Sequence, residues 1–103
     1  MKHTLITLAL FALVGAMSAV QAGGDAQAGK AKAAGCAGCH GANGEGKNPY
    51  PALAGKAESE FIQAMRDYKS GKRANPIMKS LASNLSDQDV ANLAAYYASL
   101  KGK

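Results

Sequence analysis

The stretch "AGCAGCHGANG", residues 34–44, holds both cysteines of the chain, Cys36 and Cys39, and a histidine, His40, directly after the second. Two thiols three residues apart with an adjacent imidazole suit three chemistries. They could cycle between dithiol and disulfide, supply part of a metal site, or anchor a haem covalently. A dithiol of the thioredoxin kind sits in a βαβ unit, and no strand-like alternation of useful length occurs in this chain. A closed zinc site takes four ligands, usually Cys and His. Beyond residue 22 the chain has only Cys36, Cys39 and His40 to offer, so carboxylates would have to complete the set. Cys36-Ala37-Gly38-Cys39-His40, by contrast, is a complete C-x-x-C-H haem-attachment pattern. At this spacing the thiols reach the two vinyl groups on one porphyrin edge, and His40 falls beneath the iron. Ala37 and Gly38 are small enough for the backbone to pass close to the macrocycle. The pattern predicts one haem c, bound through Cys36 and Cys39, with His40 as an axial iron ligand.

The second axial ligand follows by a separate argument. His3 lies in a leader described below, so no second histidine remains for the iron. The methionines beyond the leader are Met65 and Met78. Met65 falls in an apolar helical stripe and reads as core. Met78 falls in the connector "RANPIMKSL", just after Asn75-Pro76, where a stiffened loop can carry a thioether over the far haem face. Met78 is therefore the predicted sixth ligand. His/Met ligation fills the coordination sphere and raises the potential, which suits transfer of single electrons. An iron left open would instead favour ligand binding or peroxide chemistry.

The elements that must position these residues begin after an apolar leader. Residues 5–17, "LITLALFALVGAM", are almost unbroken apolar, about thirteen residues against the roughly 18 of a spanning helix. Small residues follow, and Val20 and Ala22 fit the small-x-small rule before Gly23. Residues 1–22 are expected to be a cleaved secretory signal peptide, and 23–103 a single periplasmic domain. Loss of Lys2 leaves 11 basic side chains against 7 acidic, a net +4. With no run of like charges, nucleic acid fits poorly as a partner class, and an acidic protein partner or an anionic membrane surface fits better. Trp is absent and Ala abundant. A core so poor in large side chains needs a cofactor at its centre.

Residues 25–36 read as a helix capped by Asp25, with Gly29 and Gly35 as weak points. Residues 41–55 are Gly- and Pro-rich and read as a loop. Residues 57–70 read as a helix with an inward stripe of Phe61, Met65 and Tyr68, ending at Gly71. Residues 72–84 form a connector with a short helical turn near 79–82. Ser86 and Asp89 make an S-x-x-D capping pattern before a last helix whose inward stripe is Val90, Leu93, Ala94 and Tyr97. The expected fold is all-α, three main helices and a short helical turn around one covalently bound haem.

With "AGKAKAAGCAGCHG", "YPALAGK", "DYKSGKRANPIM" and "LSDQDVANLAAYYASL" in this order, the chain resembles a class I cytochrome c of the small bacterial monohaem type. It is similar to cytochrome c-553 and to one half of the diheme cytochromes. The resemblance implies that Cys36 and Cys39 form the thioethers and that His40 and Met78 are the axial ligands. It also implies that the Pro51 carbonyl accepts the Nδ1 proton of His40. Gly29 and Tyr97 match positions where the first and last helices cross, and Ala33 and Ala34 stand where larger cytochromes place an aromatic. The loop 41–55 is short and is expected to leave a haem edge exposed, framed by Lys47, Lys72, Arg73 and Lys79. The expected function is a monomeric periplasmic electron carrier, not an enzyme, exchanging electrons with redox proteins that have acidic docking surfaces, such as a membrane-bound oxidase or reductase. The alternatives are a ligand-binding or peroxidatic haem protein and a haem subunit of a larger complex.

Overall fold

The computed structural model describes residues 23–100. The expected signal peptide, with Lys101 and Lys103, lies outside the described residues. Among the described residues five helices form in chain order: α1 (Ala26–Lys32), α2 (Ala34–His40), α3 (Glu58–Ser70), α4 (Pro76–Ser83) and α5 (Asp87–Ser99). Among the described residues the only β feature is an isolated bridge between Lys47 and Tyr50.

Each helix starts and stops for a local reason. The Asp25 carboxylate accepts from the Gln27 N–H at 2.9 Å and caps α1. Gly71 ends α3 in the left-handed region, φ 86°, which a glycine adopts without the Cβ penalty. Asn75 caps α4 and Pro76 occupies its first position, where a missing N–H costs nothing. Ser86 and Asp89 form a full capping box on α5, each side chain accepting the other's backbone N–H at 3.0 Å.

Two expectations are corrected here. The single helix expected over 25–36 is divided at Ala33 and runs on to His40. Ala33 keeps helical dihedrals, its N–H bonds the Gly29 carbonyl, and its own carbonyl receives the N–H of Cys36 and Ala37. Ala33 is buried and Gly29 and Gly35 flank it, so the axis bends where the helix is least stiff. The connector expected to carry Met78 in a loop is helical from Pro76 onward, and Met78 sits in the first turn of α4.

The core lies between α1, α3 and α5. It comprises Ala33, Phe61, Met65, Ala82, Val90, Leu93, Ala94, Tyr96 and Tyr97. Leu93 and Tyr97 are its fully buried large side chains. Met65 packs in this core, and Tyr68 is only partly buried against it. Helix α1 crosses α5, while α3 packs on both α4 and α5. The α1–α5 crossing is closer than any side chain would permit. A Cβ on Gly29 would run into the Asn92 carbonyl and stand 2.9 Å from the Tyr96 Cβ; one on Gly24 would run into the Ala91 carbonyl. At Gly29 the nearest atoms of α5 belong to Asn92 and Tyr96. Asn92 is buried because its Oδ1 accepts from the Asp25 N–H at 2.8 Å and the Gln88 amide at 2.9 Å. Lys32 adds an ion pair to Asp89 at 3.7 Å.

Candidate haem-binding site

Helix α2 carries Cys36 and Cys39 one turn apart, so the two side chains share a face. Both thiols are unbridged and half-buried. Cys36 packs at the edge of the core. Tyr97 is 1% exposed, and its hydroxyl donates toward the Cys36 sulfur. Burial pushes the Cys36 thiol up, and the Tyr97 hydrogen bond only partly offsets this, so the thiol stays protonated at neutral pH. Burial likewise pushes Tyr97 well above the usual phenol range.

His40 ends α2 and is buried. Its Nδ1 lies 2.7 Å from the Pro51 carbonyl oxygen. A carbonyl can only accept, so Nδ1 carries the proton and Nε2 presents a lone pair. The loop that delivers Pro51 is tied to the helix end. The Gly46 N–H bonds the His40 carbonyl at 2.7 Å, and the N–H groups of Leu53 and Ala54 bond the Gly44 carbonyl. Gly44 and Gly46 hold φ values of 68° and 84°, and Gly44 lies flat against the Tyr97 ring. The Gly55 N–H reaches the Tyr97 carbonyl at 2.8 Å and pins the far end of the loop to α5. The Tyr50 ring stands edge-on to His40, centroids 6.1 Å apart.

Met78 is partly buried against the core, and its N–H bonds the Asn75 side chain at 3.0 Å. Its residue neighbours on α4, Ile77 and Leu81, are exposed apolar side chains, as is Tyr50. The five candidate residues of the sequence reading therefore fall into two groups. Cys36, Cys39 and His40 come together with Pro51 at the end of α2, and Met78 stands on α4. Among the described residues α2 packs only on α1 and α4 only on α3, so Met78 and the C-x-x-C-H residues stand on helices that do not pack on each other. A shallow groove between α3 and α5, lined by Ile62, Met65, Val90 and Ala91, includes none of them.

The donor set fits a haem c. Two reduced thiols on one helix face match two vinyl groups, and a neutral imidazole with its outer nitrogen tied back leaves the inner one for iron. Sequence reasoning alone missed the Tyr97 contact to Cys36 and the edge contact of Tyr50, which no spacing signals. The Asn75-Pro76 start of α4 was signalled by the N-cap and N1 preferences.

The all-helical arrangement around this motif defines a class I c-type cytochrome. Residues 26–101 match the family Cytochrome c. Cytochrome c4 of Pseudomonas aeruginosa is 46% identical over 102 residues, covering 98% of this chain and 50% of the relative. Cytochrome c-554(548) of Halomonas halodenitrificans is 40% identical over 80 residues, 74% of this chain and 96% of its own length. The crystal structure of reduced recombinant cytochrome c4 from Pseudomonas stutzeri superposes with a TM-score of 0.73 at 37% identity, covering 78% of this chain and 47% of the other. The chain spans about half the length of the cytochromes c4 it matches. It belongs to the cytochrome c family and carries covalently bound haem c.

Proposed function

We propose that the chain is a periplasmic carrier of single electrons, with one haem held by Cys36 and Cys39 and ligated by His40 and Met78. The haem, when bound, supplies the one-electron iron couple. The observation that carries the reading is the 2.7 Å bond between His40 Nδ1 and the Pro51 carbonyl. It fixes the tautomer and ring orientation and makes Nε2 a better donor. Asn75 and Pro76 set the start of α4, so Met78 is presented from its first turn. A ligand that does not rearrange suits electron transfer better than substrate turnover, and the chain acts as a carrier rather than a catalyst.

Partner contact is proposed around the exposed apolar side chains nearest the two ligands, Tyr50 against His40 and Ile77 and Leu81 on the helix of Met78. Lys47, Lys72, Arg73 and Lys79 are exposed in the same loop and helix region. An apolar centre with a basic rim suits a redox partner with an acidic surface, steering acting mainly on the association rate. Residues 1–22 are proposed to direct export and to be removed, leaving residues 23–103 as the working domain.

Two measurements test the assignment. Acidified organic solvent should leave the haem on the protein; free extraction would refute attachment through Cys36 and Cys39. Met78→Ala should abolish the weak long-wavelength sulfur-to-iron band of the ferric protein, lower the potential and admit CO to the ferrous form. Met65→Leu should leave all three unchanged. The reverse pattern would assign the ligand to Met65.

A further inference from the structure

We propose that Lys69 is a positioning residue for Met78, its ammonium latching the exit of α4 to α3 so that the methionine is held in place. The proposal rests on the reading of Met78 as an iron ligand.

Helix α4 needs such a device because burial holds it weakly. Of its eight residues only Ala82 is buried and Met78 half-buried; Ile77 is 66% exposed and Leu81 43%. Among the described residues its only helix neighbour is α3. Both ends of α4 are tied to the last turns of that helix. At the entry the Arg73 N–H bonds the Asp67 carbonyl at 3.1 Å, and the Arg73 guanidinium lies 4.7 Å from the centre of the Tyr68 ring. At the exit the N–H groups of Asn84 and Leu85 close the last turn onto the carbonyls of Leu81 and Ala82.

The Leu85 carbonyl is then left at the joint between α4 and α5. Among the described residues no backbone N–H reaches it. Lys69 Nζ donates to it at 2.8 Å, in a partly buried position. Asp89 pairs with Lys32 rather than with Lys69, so Lys69 is spent on a carbonyl rather than on a carboxylate. A hydrogen bond from a charged donor to a half-buried carbonyl is stronger than a neutral one, and its loss also leaves the carbonyl unpaired. The latch therefore ties the exit of α4 to α3, as Arg73 ties its entry. Releasing it frees α4 to swing on Gly71, whose left-handed backbone reverses the chain at the entry. Such a swing carries Met78 with it.

The test uses ferric holoprotein titrated with imidazole, which competes with the methionine for iron. Loss of the methionine–iron band reports displacement. Lys69→Met keeps the apolar stem and removes the donor; it should raise apparent imidazole affinity about tenfold, the lower end of what a charged hydrogen bond contributes. Lys69→Gln, too short to reach Leu85, should do the same and stands in should the Met variant not fold. Lys69→Arg restores a charged donor of similar reach and should stay within about threefold of wild type. Lys30→Met, which removes an exposed charge from α1, should leave the affinity unchanged. Imidazole affinity within twofold of wild type in both Lys69→Met and Lys69→Gln would overturn the latch, even if those variants melt earlier. Met78→Ala separates the two claims. If it binds imidazole far more tightly while the Lys69 variants do not, only the latch fails; if it behaves as wild type, the ligand assignment fails and the latch with it.

Discussion

Alanine at Gly29 and alanine at Gly35 are the same change in the same pair of short helices, and the structure assigns them opposite signs. Gly→Ala in a helix interior is favourable by roughly 0.5–1 kcal/mol when nothing opposes it. At Gly35 nothing lies within 4 Å of the new Cβ, so the full gain is available. At Gly29 the Cβ meets the Asn92 carbonyl and its carbon, with the Tyr96 Cβ at 2.9 Å. These are backbone and near-backbone atoms, and no rotamer change can move them. Helices α1 and α5 must separate, which breaks the Asp25–Asn92 hydrogen bond and the Lys32–Asp89 pair at the two ends of the contact. Overpacking costs about 1–3 kcal/mol, and a backbone obstacle belongs at the upper end. After the propensity gain the net loss is about 2 kcal/mol. In a domain of this size 1 kcal/mol moves Tm by about 4–8 °C, so Gly29→Ala should melt about 8–16 °C lower. Gly35→Ala should melt at or slightly above wild type. Thermal unfolding of the holoproteins by far-UV circular dichroism measures both. A Gly29→Ala protein as stable as Gly35→Ala would refute the close crossing.

Ser86→Ala removes one half of the capping box and should cost about 1 kcal/mol in denaturant unfolding with an unchanged slope. The Asp89 carboxyl is held below the usual carboxylate range, first by the Ser86 backbone N–H and then by the Ser86 hydroxyl and Lys32. A carboxyl depressed in the folded state adds stability above its unfolded range and loses it as pH falls through the folded one, so Asp89→Asn should flatten the acid limb of the stability profile. Leu93→Ala empties a fully buried site between α5 and its neighbours and should cost about 2–5 kcal/mol, enough to leave the domain largely unfolded without its haem. Charge reversal at Lys72 or Lys79 should slow electron transfer to a physiological partner at low salt, with the difference shrinking as salt rises. Reversal at Lys30, exposed on α1, is the control, and an equal effect there would point to net charge rather than a docking face.

Local signals in the chain carried most of what mattered. C-x-x-C-H points to a haem, which the family bears out, and makes His40 the proposed ligand, because thioether spacing and the adjacent imidazole are covalent geometry, independent of the rest of the fold. Asp25, Gly71, Ser86 and Asp89 mark helix ends because capping uses groups within a few residues of each other. The stripe of Val90, Leu93, Ala94 and Tyr97 is legible because burial repeats with the helical period. Asn75-Pro76 carried the start of α4 as well, yet about two turns of mostly exposed residues have no long period to distinguish helix from loop. The bend at Ala33, the approach of Gly29 to Asn92, the Tyr97 hydroxyl at Cys36 and the Lys69 bond to Leu85 were beyond reach. Each joins residues from different elements, or bends one against another, and depends on how helices cross. Crossing is decided by the shapes of whole faces packed together, which no local pattern contains.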